Sequence, residues 1–192
     1  MKKFAFLGFL LCLGSMAFCQ QPLIYTDVVR VDSATSSKDL YTRALVWFAN
    51  YYDDSALVIR LKDEENCLII GKASFYYAPK VKCNPAAVGG TISYTLKIYC
   101  KNGRYKYEIG GFIHQAVPAF ESQSNLIDFG LITDSETCKK EINYPSVPLS
   151  DNNHKEDVWK DLNNQIRDFV NGLVGELKVT MVEKIKTKQT DW

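Results

Sequence analysis

Two histidines, six cysteines and a set of aromatic side chains are where this sequence has chemistry to offer. His114 closes an apolar run. Its imidazole can act as general acid or base if a carboxylate such as Glu121 or Asp128 is brought beside it. A histidine at a strand end is more often structural, so His114 stands as a catalytic candidate without a finished catalytic set; His154 has no companion. The cysteines lack the C-x-x-C or H-E-x-x-H spacing of a zinc site, and the G-x-S-x-G, P-loop and dinucleotide fingerprints are absent. The expectation is no metal and no cofactor. Asp63-Glu64-Glu65 resembles a calcium ligand set only superficially and reads as a solvated turn. Phe75, Tyr94, Tyr105, Tyr107 and Phe112 share an apolar face with His114. That face is most simply a core, but aromatic faces also line pockets for apolar ligands, so these six are the ligand-binding candidates.

The compartment bears on the cysteines. The chain begins with Lys2 and Lys3, an apolar run from Phe4 to Leu13, and then Ala17-Phe18-Cys19. This is the layout of a secretory signal peptide over residues 1–19, cut before Gln20. The run is shorter than the roughly 20 residues a permanent membrane span needs. Acylation of Cys19 is the competing reading, and bulky Phe18 argues against it. The expected location is periplasmic or secreted, with no transmembrane segment after cleavage. Cleavage leaves Cys67, Cys83, Cys100 and Cys138, an even count that makes disulfides plausible in an exported chain. The favoured pairing is Cys67–Cys100 and Cys83–Cys138, with buried free thiols as the alternative. Lys and Arg number 23 against 22 Asp and Glu, without a basic run, so nucleic-acid binding is not expected.

These residues must be positioned by elements, and the clearest is the stretch from Thr91 to Ile109. Two alternating runs meet at Asn102-Gly103, a hairpin signal because a type I′ turn needs positive φ at both central residues. That turn places Cys100 opposite Tyr105, Ile98 opposite Tyr107 and Leu96 opposite Ile109 on the apolar face. Tyr99 then pairs with Lys106, and Lys97 with Glu108, on the other. Leu23–Asp32 reads as a first strand, and Ser36 with Asp39 as a capping box opening a helix with Leu40, Ala44, Trp47, Phe48 and Tyr51 on one face. Ala56–Lys62 and Cys67–Tyr77 form another hairpin, with Gly71 and Ala73 small enough for a helix to approach. Gly110-Gly111 suggests a bulge. Residues 115–153 read as a long loop, in which Asn125 to Thr133 offers a short strand. From near His154 a helix of about 30 residues, roughly 45 Å long, carries Val158, Leu162, Ile166, Phe169, Leu173, Leu177, Met181 and Ile185 as cover for the sheet. Gly172 and Gly175 weaken it, which suggests a bend or a close contact there.

The order is strand, helix, four strands in meander, long helix: an α+β single domain over 20–192, β-α-β-β-β-β-α, with a curved antiparallel sheet of about five strands covered by two helices. The motifs Lys38-Asp39-Leu40-Tyr41-x-Arg43-Ala44, Ile70-Gly71-Lys72-Ala73 and Lys101-Asn102-Gly103-Arg104-Tyr105-Lys106-Tyr107, followed by the long helix before Trp192, resemble a bacterial domain-of-unknown-function family described as having a TBP-like fold. The resemblance implies that fold in exported proteins of Gram-negative bacteria, with no established activity or ligand. It carries no implication of DNA binding.

Three functions follow. The favoured one is an exported, non-catalytic binding or interaction module, taking a small apolar ligand or a protein partner on the sheet-helix surface. The others are an enzyme using His114 as acid/base and a structural component of an envelope assembly.

Overall fold

The computed structural model describes residues 21–118, 126–138 and 152–183, with the side chains of 152–154 left aside. Residues 1–19, read above as a signal peptide, Glu121 and the chain beyond 183 lie outside them. The elements run β1 (Ile24–Arg30), α1 (Ser37–Tyr51), α2 (Ser55–Val58), β2 (Ile59–Asp63), β3 (Leu68–Tyr77), α3 (Pro85–Val88), β4 (Gly90–Lys101), β5 (Arg104–Ala116), β6 (Gly130–Leu131) and α4 (Asn152–Val182). The sheet is antiparallel, in the order β1-β5-β4-β3-β2, with β6 added to β5 beyond the end of β1.

The first three helices each begin where a side chain takes up orphan N–H groups. Ser36 Oγ accepts the Asp39 N–H at 3.1 Å, Asp54 caps Ala56 and Leu57, and Asn84 caps Ala86 with Pro85 in the first turn. Asp39 does not complete a capping box; its carboxylate meets Arg43 at 2.6 Å. The apolar faces of α1 and α4 lie on the inner face of the sheet. Leu40, Ala44, Trp47 and Phe48 from α1, and Val158, Leu162, Ile166, Leu173, Leu177 and Met181 from α4, are buried against Ile69, Ile92, Leu96, Ile98 and Ile109. Gly71 is where α1 comes closest: a Cβ there would sit 2.7 Å from the Phe48 ring.

The β4–β5 register is the one the sequence predicts, from Cys100↔Tyr105 to Leu96↔Ile109, with a shift between Ser93 and Thr95 opposite Gly110 and Gly111. Gly111 takes φ +65°, as a bulge requires. The turn differs. Positive φ falls on Gly103 alone and Asn102 lacks it, so it is not type I′. The tip is docked: Asn102 Oδ1 accepts the Ser37 N–H, the Gly103 N–H donates to Thr35 O, and Gly103 O accepts the Val31 N–H. Contacts with the β1–α1 connection outweigh the local preference of an isolated hairpin.

Four other expectations are corrected. The strand expected from Ala56 begins at Ile59, because Asp54 winds residues 55–58 into one helical turn and leaves Leu57 exposed. The strand offered by Asn125 to Thr133 shrinks to Gly130–Leu131, while Ile127, Phe129 and Ile132 around it are buried and the Ile127 N–H donates to Ala87 O.

Neither Cys67–Cys100 nor Cys83–Cys138 is joined by a disulfide among the described residues. Cys67 and Cys100 do lie together, the Cys100 N–H donating to Cys67 O, but Cys67 takes φ +50° and turns its Sγ toward Glu64 O. Burial and the nearby Cys67 push the Cys100 thiol up to about 12.

Gly172 and Gly175 show neither close contact nor crowding: a Cβ at either meets nothing within 4 Å. Replacing either with Ala is therefore expected to raise unfolding free energy by about 0.5–1 kcal/mol, through helix propensity alone. Urea denaturation of the two single variants checks this.

Candidate functional site: the open face of the sheet

The side chains singled out for chemistry lie on the inner face and are enclosed there. His114 is 1% exposed. Its Nε2 sits 3.0 Å from Val88 O and its Nδ1 accepts the Phe129 N–H at 3.2 Å, with Tyr77 and Phe129 edge-on to the ring. One nitrogen donates and the other accepts, so a neutral imidazole is fully used in tying α3 and the segment around Phe129 to β5. Asp128 Oδ1 accepts the Ala116 N–H at 2.6 Å. Phe75 stacks on Phe169 of α4 at 4.1 Å, Tyr94 stacks on Phe112, and the Tyr94 and Tyr52 hydroxyls bond each other at 3.0 Å. Burial is the largest cause raising the Tyr94 and Tyr105 phenols above their ordinary values, so both stay neutral. Tyr107 is buried too. The six ligand-binding candidates thus share the inner face but are spread along it, from Tyr105 near the hairpin tip to His114 near the far end of β5, and α1 and α4 pack over that face.

The opposite face carries no helix. Register assigns it Ile24, Thr26, Val28 and Arg30 from β1; Arg104, Lys106 and Glu108 from β5; Thr95, Lys97, Tyr99 and Lys101 from β4; Leu68, Ile70 and Lys72 from β3; and Leu61 and Asp63 from β2. In a strand, alternate side chains share a face, so these positions follow from the same pattern that buries their neighbours. Near the hairpin tip, Arg104 lies directly opposite Arg30 on one side and Lys101 on the other. None of the three meets an acidic side chain among the described residues. One row further along, Lys106 stands over the Tyr99 ring at 5.8 Å and Val28 is exposed. Val28, Tyr99, Lys101, Arg104 and Lys106 line a depression of about 490 Å³.

Glu108 is occupied within its own row, 2.7 Å from Lys97 Nζ and 3.7 Å from Lys106 Nζ, and the bond from Lys97 holds its carboxyl below the ordinary value. Hydrophobic alternation did not single these cations out, because solvated lysines and arginines are the normal content of an exposed strand face. The signal lay in register: Lys101 and Arg104 flank Asn102-Gly103 and must face each other in any two-residue hairpin.

Chemically this face can bind anions. Arg30 and Arg104 offer planar forks suited to carboxylate or phosphate, and Tyr99, Val28 and Ile24 offer apolar contact. Among the described residues no group of His, Cys, Asp and Glu gathers that could hold a metal ion.

Comparison with known proteins bears on the fold. Among curated proteins none matches the chain. One similar solved structure is a TBP-like protein from Parabacteroides distasonis ATCC 8503, 12% identical, with a TM-score of 0.51, covering 82% of this chain and 93% of that one. Another is a DUF4468 family protein from Bacteroides ovatus ATCC 8483, 11% identical, with a TM-score of 0.55, covering 86% of this chain and 90% of that one. At such identity the likeness is one of architecture: an open antiparallel sheet with helices on one side and a long C-terminal helix. The sequence match covers β1 through β5, the strands that build the open face: over those residues, 25–115, the chain is similar to the family described as a domain of unknown function (DUF4468) with TBP-like fold.

Proposed function

We propose that the protein is an exported, non-catalytic interaction module whose docking surface is the open face of its sheet. The observation that carries this reading is the row Arg30, Arg104, Lys101, three cations opposed across neighbouring strands without an acidic partner among the described residues. Like charges directly opposite each other weaken a sheet. A local arrangement that works against the fold is expected where function uses it. Binding is favoured over turnover because the histidine candidate is enclosed and spends both ring nitrogens on backbone groups. A protein partner is favoured over a small apolar ligand because the inner aromatic face is packed by Phe169, Phe48 and Trp47. Export rests on the pattern of residues 1–19; among the described residues no helix is long and apolar enough to cross a membrane.

One experiment addresses both parts. The full chain is produced in a Gram-negative host with a photo-crosslinking amino acid in place of Tyr99 or, separately, of Val179 on the exposed side of α4, and the exported fraction is read by mass spectrometry. The reading expects a mature chain beginning at Gln20 and a defined adduct from position 99 but not from 179. Adducts from 179 alone would move the docking surface to the helix side. A chain retaining residues 1–19 would end the export reading.

A further inference from the structure

Resting on the open face as the docking surface, we infer that its occupant is an extended, acidic polypeptide segment of a partner protein, whose carboxylates meet Arg30, Arg104 and Lys101 while its apolar side chains cover Val28 and Tyr99. The first argument is charge. The whole chain has a formal net charge of +1, yet this one face gathers Arg30, Lys72, Lys97, Lys101, Arg104 and Lys106 against Asp63 and Glu108. Glu108 is engaged by Lys97 and Lys106, and Asp63 accepts the Asn66 backbone and side-chain N–H groups, so neither acid on the face serves the row at the hairpin tip. The missing anions must come from the occupant, and the repulsion within the row is relieved when they arrive.

The second argument is the apolar surface between the cations. Ile24 is 51% exposed, Val28 53% and Leu61 43%, and Tyr99 borders the depression. A nucleic acid or an anionic glycan would satisfy the cations and leave the aliphatic groups in water. An anionic bilayer offers apolar and charged groups together but is flat, and the residues with most to gain line a depression. An extended polypeptide supplies both when carboxylate and apolar side chains take turns at every second position, so that both lie on the face it presents. Same-face residues recur about 6.8 Å apart on a strand, and the cation row has about 4.8 Å between neighbouring strands, a mismatch that long Arg and Lys side chains absorb.

The test uses the purified chain and a fluorescein-labelled peptide of three Asp-Thr-Val-Thr repeats, which sets Asp and Val on one face of an extended chain. A matched Asn-Thr-Val-Thr peptide, an oligo-dT strand and phosphatidylglycerol vesicles serve as competitors, and anisotropy is the readout. The acidic peptide is expected to bind better than all three competitors and to weaken as ionic strength rises. Arg104→Glu should weaken it about tenfold, since it reverses the central charge of the row. The same substitution places a carboxylate between Arg30 and Lys101, so thermal denaturation should show an unchanged or higher Tm. Loss of binding with retained Tm therefore separates recognition from misfolding.

Equal binding of the neutral peptide, preference for oligo-dT or vesicles, or indifference to Arg104→Glu would each overturn the inference. If the acidic peptide fails while a crosslinker at 99 still yields a defined adduct, the acidic occupant is wrong and the docking surface stands. If both fail, both readings fall.

Discussion

Arg43→Ala is expected to lower the unfolding free energy by about 3 kcal/mol, and Arg43→Lys by nearly as much, in urea denaturation of the purified chain. Arg43 lies on α1 and is 4% exposed. Its Nη1 donates to Met181 O at 2.8 Å and Val182 O at 3.3 Å, and its Nη2 to Asp39 Oδ2 at 2.6 Å. The last carbonyls of an α-helix have no partner within the helix, and they form the negative pole of its dipole. Arg43 supplies two donors and a positive charge at that pole, so one side chain closes the end of the 31-residue α4 and fastens it to α1. Truncation leaves both carbonyls unpaired in a buried place and opens a cavity. Lysine, with one ammonium in place of a fork, cannot serve the carbonyls and Asp39 together. The Asp39 side chain is 40% exposed, so its ion pair is worth less than about 1 kcal/mol, and Asp39→Asn should cost no more than that. A loss below about 1 kcal/mol for Arg43→Ala would show that α4 is held by its apolar face alone.

Gly90→Ala is expected to cost about 3 kcal/mol, at the upper end for overpacking a buried position. A Cβ on Gly90 would stand 2.2 Å from Gln115 O and 2.6 Å from Ala116 Cα, both backbone atoms of the neighbouring strand. At Gly71 the obstacle is the edge of a Phe48 ring, which can turn; at Gly90 the strand itself must move. The displacement reaches His114, two residues before Ala116, and the Val88 carbonyl it meets. Amide chemical shifts are therefore expected to change from Val88 to Gly90 and from Ile113 to Val117, alongside the lower denaturation midpoint. Midpoints equal to wild type would mean that the ends of β4 and β5 yield without effort.

How much was legible before the structure can be judged residue by residue. The β4–β5 register was, because a one-residue slip would move Cys100, Ile98 and Leu96 from the core to water. The stripe of α4 was, because it repeats from Val158 to Met181, over more than about six turns. The bulge at Gly110-Gly111 was, because paired glycines interrupt an alternation that otherwise continues. Arg43 was not. It sits among the apolar positions of α1 as a charge, and only the arrival of the α4 terminus, 138 residues later in the chain, gives it a partner.

The role of the aromatic residues was legible only as a choice between core and pocket. Phe169 and Tyr52 removed the choice by packing against Phe75 and Tyr94. The near balance of charge pointed away from nucleic acid. Composition sums over the whole chain and is blind to the parity of strands, so it could not show that six cations fall on one face.

Patterns acting over a few residues therefore set the elements of this protein: the period of two in its strands, the period of three to four in its helices, the caps at Ser36 and Asn84, the glycines at 103 and 111. They carry enough free energy, locally, to be read without the fold. What lay beyond them depends on pairs far apart in sequence. The turn at Asn102-Gly103 took its form from the β1–α1 connection, His114 spent its nitrogens on Val88 and Phe129, and Arg30 came to lie beside Arg104 and Lys101. Those encounters are made by β1 crossing to β5 and by α4 returning over the inner face, and no local preference encodes either.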